Sequence, residues 1–98
     1  MKFAQIIDFE TQRIDEVRDL MRTYEEQARS QGRTGAPTAR TLLRDRANPG
    51  RYLAVVEFES HEAAMANSSA PETSALAEQL SALMTRPTVY TDCDVQDE

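Results

Sequence analysis

The sequence predicts an α+β domain in which a four-stranded antiparallel sheet carries its helices on one face. Two segments, Lys2–Phe9 and Arg51–Glu59, are apolar on both alternating faces, which is typical of central strands that are covered on both sides. Patterns of apolar residues at helical spacing lie between and after them. The predicted order is strand, helix, strand, strand, broken helix, strand.

The first predicted strand, Lys2–Phe9, places Phe3, Ile7 and Phe9 in one row with Gln5. A buried amide that lacks a hydrogen-bond partner costs about 1 to 3 kcal/mol. We therefore expect Gln5 to have a partner within the fold.

The next segment is an amphipathic helix, with Thr11 as its expected N-cap and an end near Arg29. Its apolar stripe follows spacings of three and four residues, and consists of Ile14, Val17, Leu20, Met21, Tyr24 and Ala28. The charged remainder, which includes Glu25, predicts a solvated face. The loop Ser30–Pro37 ends the helix, and its two glycines do not have the spacing of a phosphate-binding loop.

The segment Thr38–Arg46 mixes apolar and charged residues and predicts an edge strand, where charge discourages further strand pairing. A turn at Asn48-Pro49-Gly50 leads into the central strand Arg51–Glu59. Exposure of the strand ends explains the acidic residues that lie near them: Asp8, Glu57 and Glu59.

The C-terminal part predicts a helix in two pieces and a last strand. Ser60 caps a short helix, His61 to about Asn67. Pro71 cannot continue that helix, so a second helix begins there and runs to about Met84. The last strand is Thr88–Val95.

Right-handed crossovers between strands in this order predict the ferredoxin-like fold, β-α-β-β-α(broken)-β, with sheet order 4-1-3-2 and all neighbours antiparallel. The two doubly apolar strands then occupy the centre, and residues 1–98 form a single domain. Because the helices cover one face, the other face keeps an apolar patch larger than a monomer usually tolerates. We therefore predict a homodimer that packs the two helix-free faces together.

Composition restricts the class of function. The formal net charge of −6 repels phosphate backbones, so nucleic acid is not expected as a partner. No segment has the roughly 20 apolar residues of a membrane helix. The single cysteine, Cys93, agrees with a reducing compartment, and we expect a cytoplasmic protein. No His, Asp and Glu have metal-ligand spacing, and we expect neither a metal nor another cofactor.

Three segments resemble the dimeric α/β-barrel superfamily: Asp45–Tyr52 with the strand after it, Ser60–Asn67, and Pro71–Thr73. Within it, the chain is most similar to small actinobacterial proteins that resemble antibiotic-biosynthesis monooxygenases. The resemblance covers essentially the whole chain and implies a dimeric α/β barrel. That superfamily includes monooxygenases, haem-degrading enzymes, isomerases and stress proteins, so the resemblance implies the fold more strongly than any activity.

The oxygenases and haem-degrading enzymes of that superfamily commonly place Trp, Asn and a His or Arg in a pocket between sheet and helices. This sequence has no Trp, and neither Asn48 nor Asn67 lies on a predicted strand of that pocket. The catalytic roles of those residues are therefore assigned to no residue of this chain.

The candidate ligand-binding residues are three phenols, two guanidinium groups and two residues of the short helix: Tyr24, Arg40, Arg44, Tyr52, His61, Met65 and Tyr90. A wall of this kind suits an aromatic or acidic small molecule, although the same residues also pack ordinary sheets and edges. We predict a small-molecule-binding or accessory homodimer without catalytic residues. The alternative is a cofactor-independent monooxygenase that acts on an aromatic or quinol-like substrate.

Overall fold

The computed structural model describes residues 1–32 and 35–97. Its elements are, in chain order, β1 (Phe3–Glu10), α1 (Ile14–Ser30), β2 (Ala39–Arg44), β3 (Arg51–Phe58), α2 (His61–Ser68), α3 (Pro71–Ser81) and β4 (Val89–Asp94). Every boundary lies within two residues of the predicted one, except that α3 ends at Ser81 instead of Met84. Within the predicted loop at 30–37, Arg33 and Thr34 lie outside the described residues.

The sheet confirms the predicted topology. Its strand order is β2-β3-β1-β4, which is 4-1-3-2 read from the other edge. β1 pairs with both β3 and β4, β2 pairs with β3, and all three pairings are antiparallel. The two strands with two apolar faces are therefore the central ones, as their sequence predicts.

The core lies between the sheet and the helices. In the β1–β3 register, Phe3 lies opposite Phe58 and Phe9 lies opposite Tyr52, so four aromatic rings share the helix face. The remaining buried members of the core are Val17, Ala54, Val56 and Ala64. The alternate residues of the same strands point to the helix-free face, which includes Ile6, Leu43, Leu53 and Val55.

Thr11 does not cap α1, so that part of the prediction is wrong. The N-cap is Arg13, and Thr11 is a buried connector that is only 3% exposed. Its hydroxyl donates to the carbonyl of Leu83 at 2.7 Å and accepts from the backbone N–H of Arg13 at 3.0 Å. Its own N–H donates to the carbonyl of Gly50 at 3.1 Å. Burial favours this role because the hydroxyl and the backbone N–H of Thr11 then have partners.

Ser60 does cap α2, as predicted. Its hydroxyl oxygen accepts a hydrogen bond from the backbone N–H of Ala63 at 3.1 Å. This satisfies one of the N–H groups that the first turn of every helix leaves without an intrahelical partner.

Asp8 is the centre of an ionic cluster on the helix-free side, and exposure of a strand end does not explain it. Its side chain is 22% exposed and receives Arg51 Nη2 at 2.8 Å and Arg86 Nη2 at 2.6 Å. Arg51 also contacts Asp45 at 2.8 Å, and Arg86 contacts Glu10 at 3.2 Å. Hydrogen bonds from Arg51, and then from Arg86, lower the pKa of Asp8 from its ordinary 3.8 to about 2 against the opposing effect of burial.

We expect the Asp8→Asn variant to be less stable than the parent at pH 7 and to lose part of the parent's acid sensitivity. A lowered pKa means that ionised Asp8 stabilises the fold above pH 3.8 and that this contribution is lost as the pH falls toward 2. The loss at pH 7 should be about 1 kcal/mol, at the low end for an ion pair because Arg51 is itself 35% exposed.

Thermal unfolding between pH 7 and pH 2 measures both effects. Asp97→Asn, at an exposed position in the C-terminal tail, is the matched control. If Asp8→Asn and Asp97→Asn give the same profile as the parent, the cluster contributes nothing to stability.

Candidate functional site

A cavity of about 160 Å³ lies between the helix face of the sheet and the helices α1 and α3. We call it the central cavity. Its walls are mostly apolar, with side chains from both central strands and both helices: Ile7, Met21, Val56, Phe58, Leu76 and Leu80. Apolar walls with a few polar groups are typical of small-molecule sites.

The first polar group in the central cavity is the hydroxyl of Tyr24. It donates to Asn67 Oδ1 at 3.0 Å and lies 2.5 Å from Thr73 Oγ1. A hydroxyl has one donor and two acceptor positions, so Tyr24 can donate to Asn67 while it accepts from Thr73. The break at Pro71 makes this possible, because it places the last turn of α2 and the first turn of α3 side by side opposite Tyr24.

The second polar group is Arg40, which reaches across from the edge strand β2 to Glu25 on α1. Two hydrogen bonds join them, from Arg40 Nε to Glu25 Oε2 at 3.2 Å and from Arg40 Nη2 to Glu25 Oε1 at 2.9 Å. Both residues line the central cavity. Glu25 of α1 therefore forms an ion pair with the sheet, whereas the sequence predicts only a solvated helix face for it. The bidentate geometry fixes the guanidinium plane at the cavity wall.

The third polar group is Gln5, on the floor of the central cavity. Its Nε2 donates to Asp92 Oδ1 on the neighbouring strand β4 at 3.0 Å. This confirms the expectation that Gln5 has a partner. Tyr90, also on β4, lies directly opposite Ile7 and lines the cavity beside Gln5.

Three of the candidate residues therefore meet at the central cavity: Tyr24, Arg40 and Tyr90. Tyr52 is buried and stacks on Phe9 at a ring distance of 5.6 Å, outside that cavity. Arg44 lies with Tyr52 along a separate surface hollow of about 420 Å³.

The two candidates on α2 also lie elsewhere. The exposed His61 places its ring 5.1 Å from that of Phe3, in an edge-to-face contact, and Met65 is 44% exposed. Neither lines the central cavity.

Asn67 lines the central cavity, and sequence reasoning did not place it there. The asparagines were compared only with the strands of the pocket, whereas Asn67 reaches the central cavity from the last turn of α2. The signal that could have found it is the helix break at Pro71, which turns the end of one helix toward the start of the next.

A second hollow of about 450 Å³, the side cleft, adjoins the central cavity between α3 and β4. The two share the side chains of Ile7, Met21, Ala77, Leu80 and Tyr90. The side cleft extends past them to Phe9 and Ala54.

The described residues contain neither a metal-binding cluster nor a membrane-spanning helix. Residues 1–32 and 35–97 contain no group of three or more His, Cys, Asp or Glu placed to hold a metal ion. In the same part of the chain, no helix combines the length and the apolar character needed to cross a membrane.

The fold is a ferredoxin-like α+β domain, and it superposes on solved structures described as antibiotic biosynthesis monooxygenases. Among solved structures, the cofactor-independent oxygenase SnoaB from Streptomyces nogalater superposes with a TM-score of 0.78 at 18% identity, over 99% of this chain and 95% of that one. A conserved protein from Methanosarcina mazei gives 0.79 at 9% identity, over 98% and 94%. A Mycobacterium tuberculosis protein gives 0.70 at 18% identity, over 100% and 98%.

These superpositions show the fold, and at 9 to 18% identity no particular activity follows from them. No family model matches the chain, and neither does any curated protein. The organisms range from Methanosarcina to Streptomyces, so the matches give no support to the narrower actinobacterial grouping.

We expect Tyr24→Phe to lower the free energy of unfolding by about 1 kcal/mol. The substitution removes the part-buried hydrogen bonds that the Tyr24 hydroxyl forms with Thr73 and Asn67. Urea unfolding measures the change. The control is Tyr90→Phe, because the Tyr90 hydroxyl has no hydrogen-bond partner within residues 1–32 and 35–97 and its removal should have little effect. Equal destabilisation by the two substitutions would show that the Tyr24 hydrogen bonds contribute nothing specific.

Proposed function

We propose that the protein is a homodimer that binds a small, uncharged aromatic molecule in the central cavity. The observation that carries this proposal is the cavity itself, which combines apolar walls with the polar groups of Tyr24, Asn67 and Arg40. A closed core would leave no such space, since protein interiors are normally packed without voids larger than a water molecule.

The size and polarity of the central cavity favour a single ring that carries a hydroxyl group. Its volume of about 160 Å³ is close to the roughly 150 Å³ of an apolar cavity that holds benzene. Arg40 is already matched by Glu25, which disfavours a strongly acidic ligand. The Asn67 amide nitrogen has no partner within the described residues, so it can donate to a ligand oxygen.

The homodimer is proposed to form through the helix-free face of the sheet. Leu43 and Val89 are 45% and 52% exposed on that face, and Ile6, Leu53 and Val55 lie between them. Asp8 lies among them, directly opposite Leu53 and Val89, and exposed apolar side chains such as those around it mark interaction sites. The central cavity lies on the opposite side of the sheet, so a second copy packed here leaves it accessible. We place this dimer in the cytoplasm, where Cys93 on the same face stays a free thiol.

We expect the parent protein to sediment at twice the chain mass of 11.0 kDa, and the Val55→Lys variant to sediment as a monomer. Val55 lies on the central strand β3, with Ile6 and Thr41 directly opposite it, so a lysine there has no carboxylate across the strands and its burial between two copies is costly. Ala75→Lys, on the exposed surface of α3, is the matched control and should remain dimeric. A monomeric parent at micromolar concentration refutes the dimer, and a dimeric Val55→Lys refutes this interface.

A second candidate function is a cofactor-independent monooxygenase that acts on an aromatic or quinol-like substrate. Two observations favour it. The fold resembles that of SnoaB, described as a cofactor-independent oxygenase, which has also been solved as a variant with an asparagine replaced by alanine. In this chain, Asn67 brings an asparagine side chain to the wall of the central cavity.

Binding and oxygen uptake, measured together, test the two functions. We expect phenol to bind with a Kd of about 1 mM or tighter. Asn67→Ala should weaken binding about three- to tenfold, the value of one hydrogen bond. Asn48→Ala, in the turn far from the central cavity, is the matched control and should bind as the parent does.

An oxygen electrode, with the single-ring hydroquinone as trial substrate, separates binder from enzyme. Oxygen uptake that requires the protein and is lost in Asn67→Ala establishes the monooxygenase. Phenol binding without such uptake supports the binder. If the protein neither binds phenol nor supports oxygen uptake, both proposed functions are refuted.

A further inference from the structure

Tyr90 is part of the wall between the central cavity and the side cleft. Both hollows are lined by Tyr90 and by Ile7, the residue directly opposite it on β1. Directly opposed side chains on neighbouring antiparallel strands lie about 5 Å apart at their Cβ atoms, so the two form a continuous ridge across the sheet. Leu80 of α3 faces the same two hollows from the helix side.

The two hollows differ in size and share an apolar character where they meet. The central cavity has a volume of about 160 Å³, enough for one ring, whereas the side cleft has about 450 Å³. Beyond the ridge, the side cleft continues along Phe9, Val17 and Ala54. If the ridge of Tyr90 and Ile7 were lower, a second ring fused to a bound phenol could contact these apolar walls.

Tyr90 can be altered without disturbing the core. It is 56% exposed, on the edge strand β4. Its side chain lies on the helix side of the sheet, because it pairs with Ile7, so the proposed dimer interface on the other face does not cover it. Of the other shared wall residues, Ile7, Met21 and Leu80 pack against the buried core.

We propose that Tyr90 is the specificity-determining residue for ligand size, and that it restricts the central cavity to single-ring phenols by closing it toward the side cleft. The inference rests on the proposed binding function and extends it to a substrate class. A ligand with two fused rings must displace the Tyr90 ring from the ridge. Its affinity is then lower, because displacement of the ring costs free energy that binding of a single-ring ligand does not require.

Binding of phenol and 2-naphthol to the parent and to Tyr90→Ala tests the inference. Calorimetry measures phenol, and the fluorescence of 2-naphthol reports its own binding, since the chain has no tryptophan to interfere. We expect Tyr90→Ala to bind 2-naphthol about tenfold more tightly than the parent does, the scale at which apolar pockets discriminate. Tyr90→Phe keeps the ring and should still discriminate against 2-naphthol. Thr91→Ala, on the opposite face of β4, controls for substitution in that strand.

The outcomes test the size restriction separately from the proposed binding function. If the parent binds phenol and Tyr90→Ala gains no affinity for 2-naphthol, the size restriction is refuted while the binding function stands. The same holds if the parent binds 2-naphthol as tightly as Tyr90→Ala does. If the parent binds no phenol, the proposed function fails and this inference fails with it. Circular dichroism of each variant verifies that the comparison is made between folded proteins.

Discussion

The pairing of β1 with β3 is the interaction on which the rest of the structure depends. It places rings at both ends of the helix face, Phe3 opposite Phe58 and Phe9 opposite Tyr52. Between them lie smaller or polar pairs, Gln5 opposite Val56 and Ile7 opposite Ala54. Large side chains at the ends hold the helices away from the sheet, and the smaller ones in the middle leave space. The central cavity follows from this distribution of side-chain volume along two strands.

The sequence predicted the features that depend on local periodicity. Alternation with a period of two identified the central strands, and spacings of three and four identified the core-facing stripe of α1. Ser60 was recognised because a cap acts within its own helical turn. These signals are local, since each residue's environment is set by neighbours a few positions away.

Features that join distant segments could not be predicted in the same way. The buried role of Thr11 depends on Leu83 and Gly50, and the partner of Glu25 comes from the edge strand. The local sequence around a threonine before a helix is the same whether the threonine caps that helix or hydrogen-bonds to a remote segment. Of the residues that line the central cavity, sequence reasoning named Tyr24, Arg40 and Tyr90, and it did not place Asn67 there because the position of Asn67 follows from how two helices meet.

The hydrogen bonds of Thr11 also bear on how the chain assembles during synthesis. The bond from its hydroxyl to Leu83 spans 72 positions, and β1 pairs only with strands that follow it much later in the chain. Non-local pairings of this kind form late, because the loop entropy must be overcome before they contribute any stability. The first strand therefore leaves the ribosome without either neighbour, and its two apolar faces stay unpaired until most of the domain has been made. Until those neighbours are made, its unpaired backbone groups are open to pairing with a strand of another molecule.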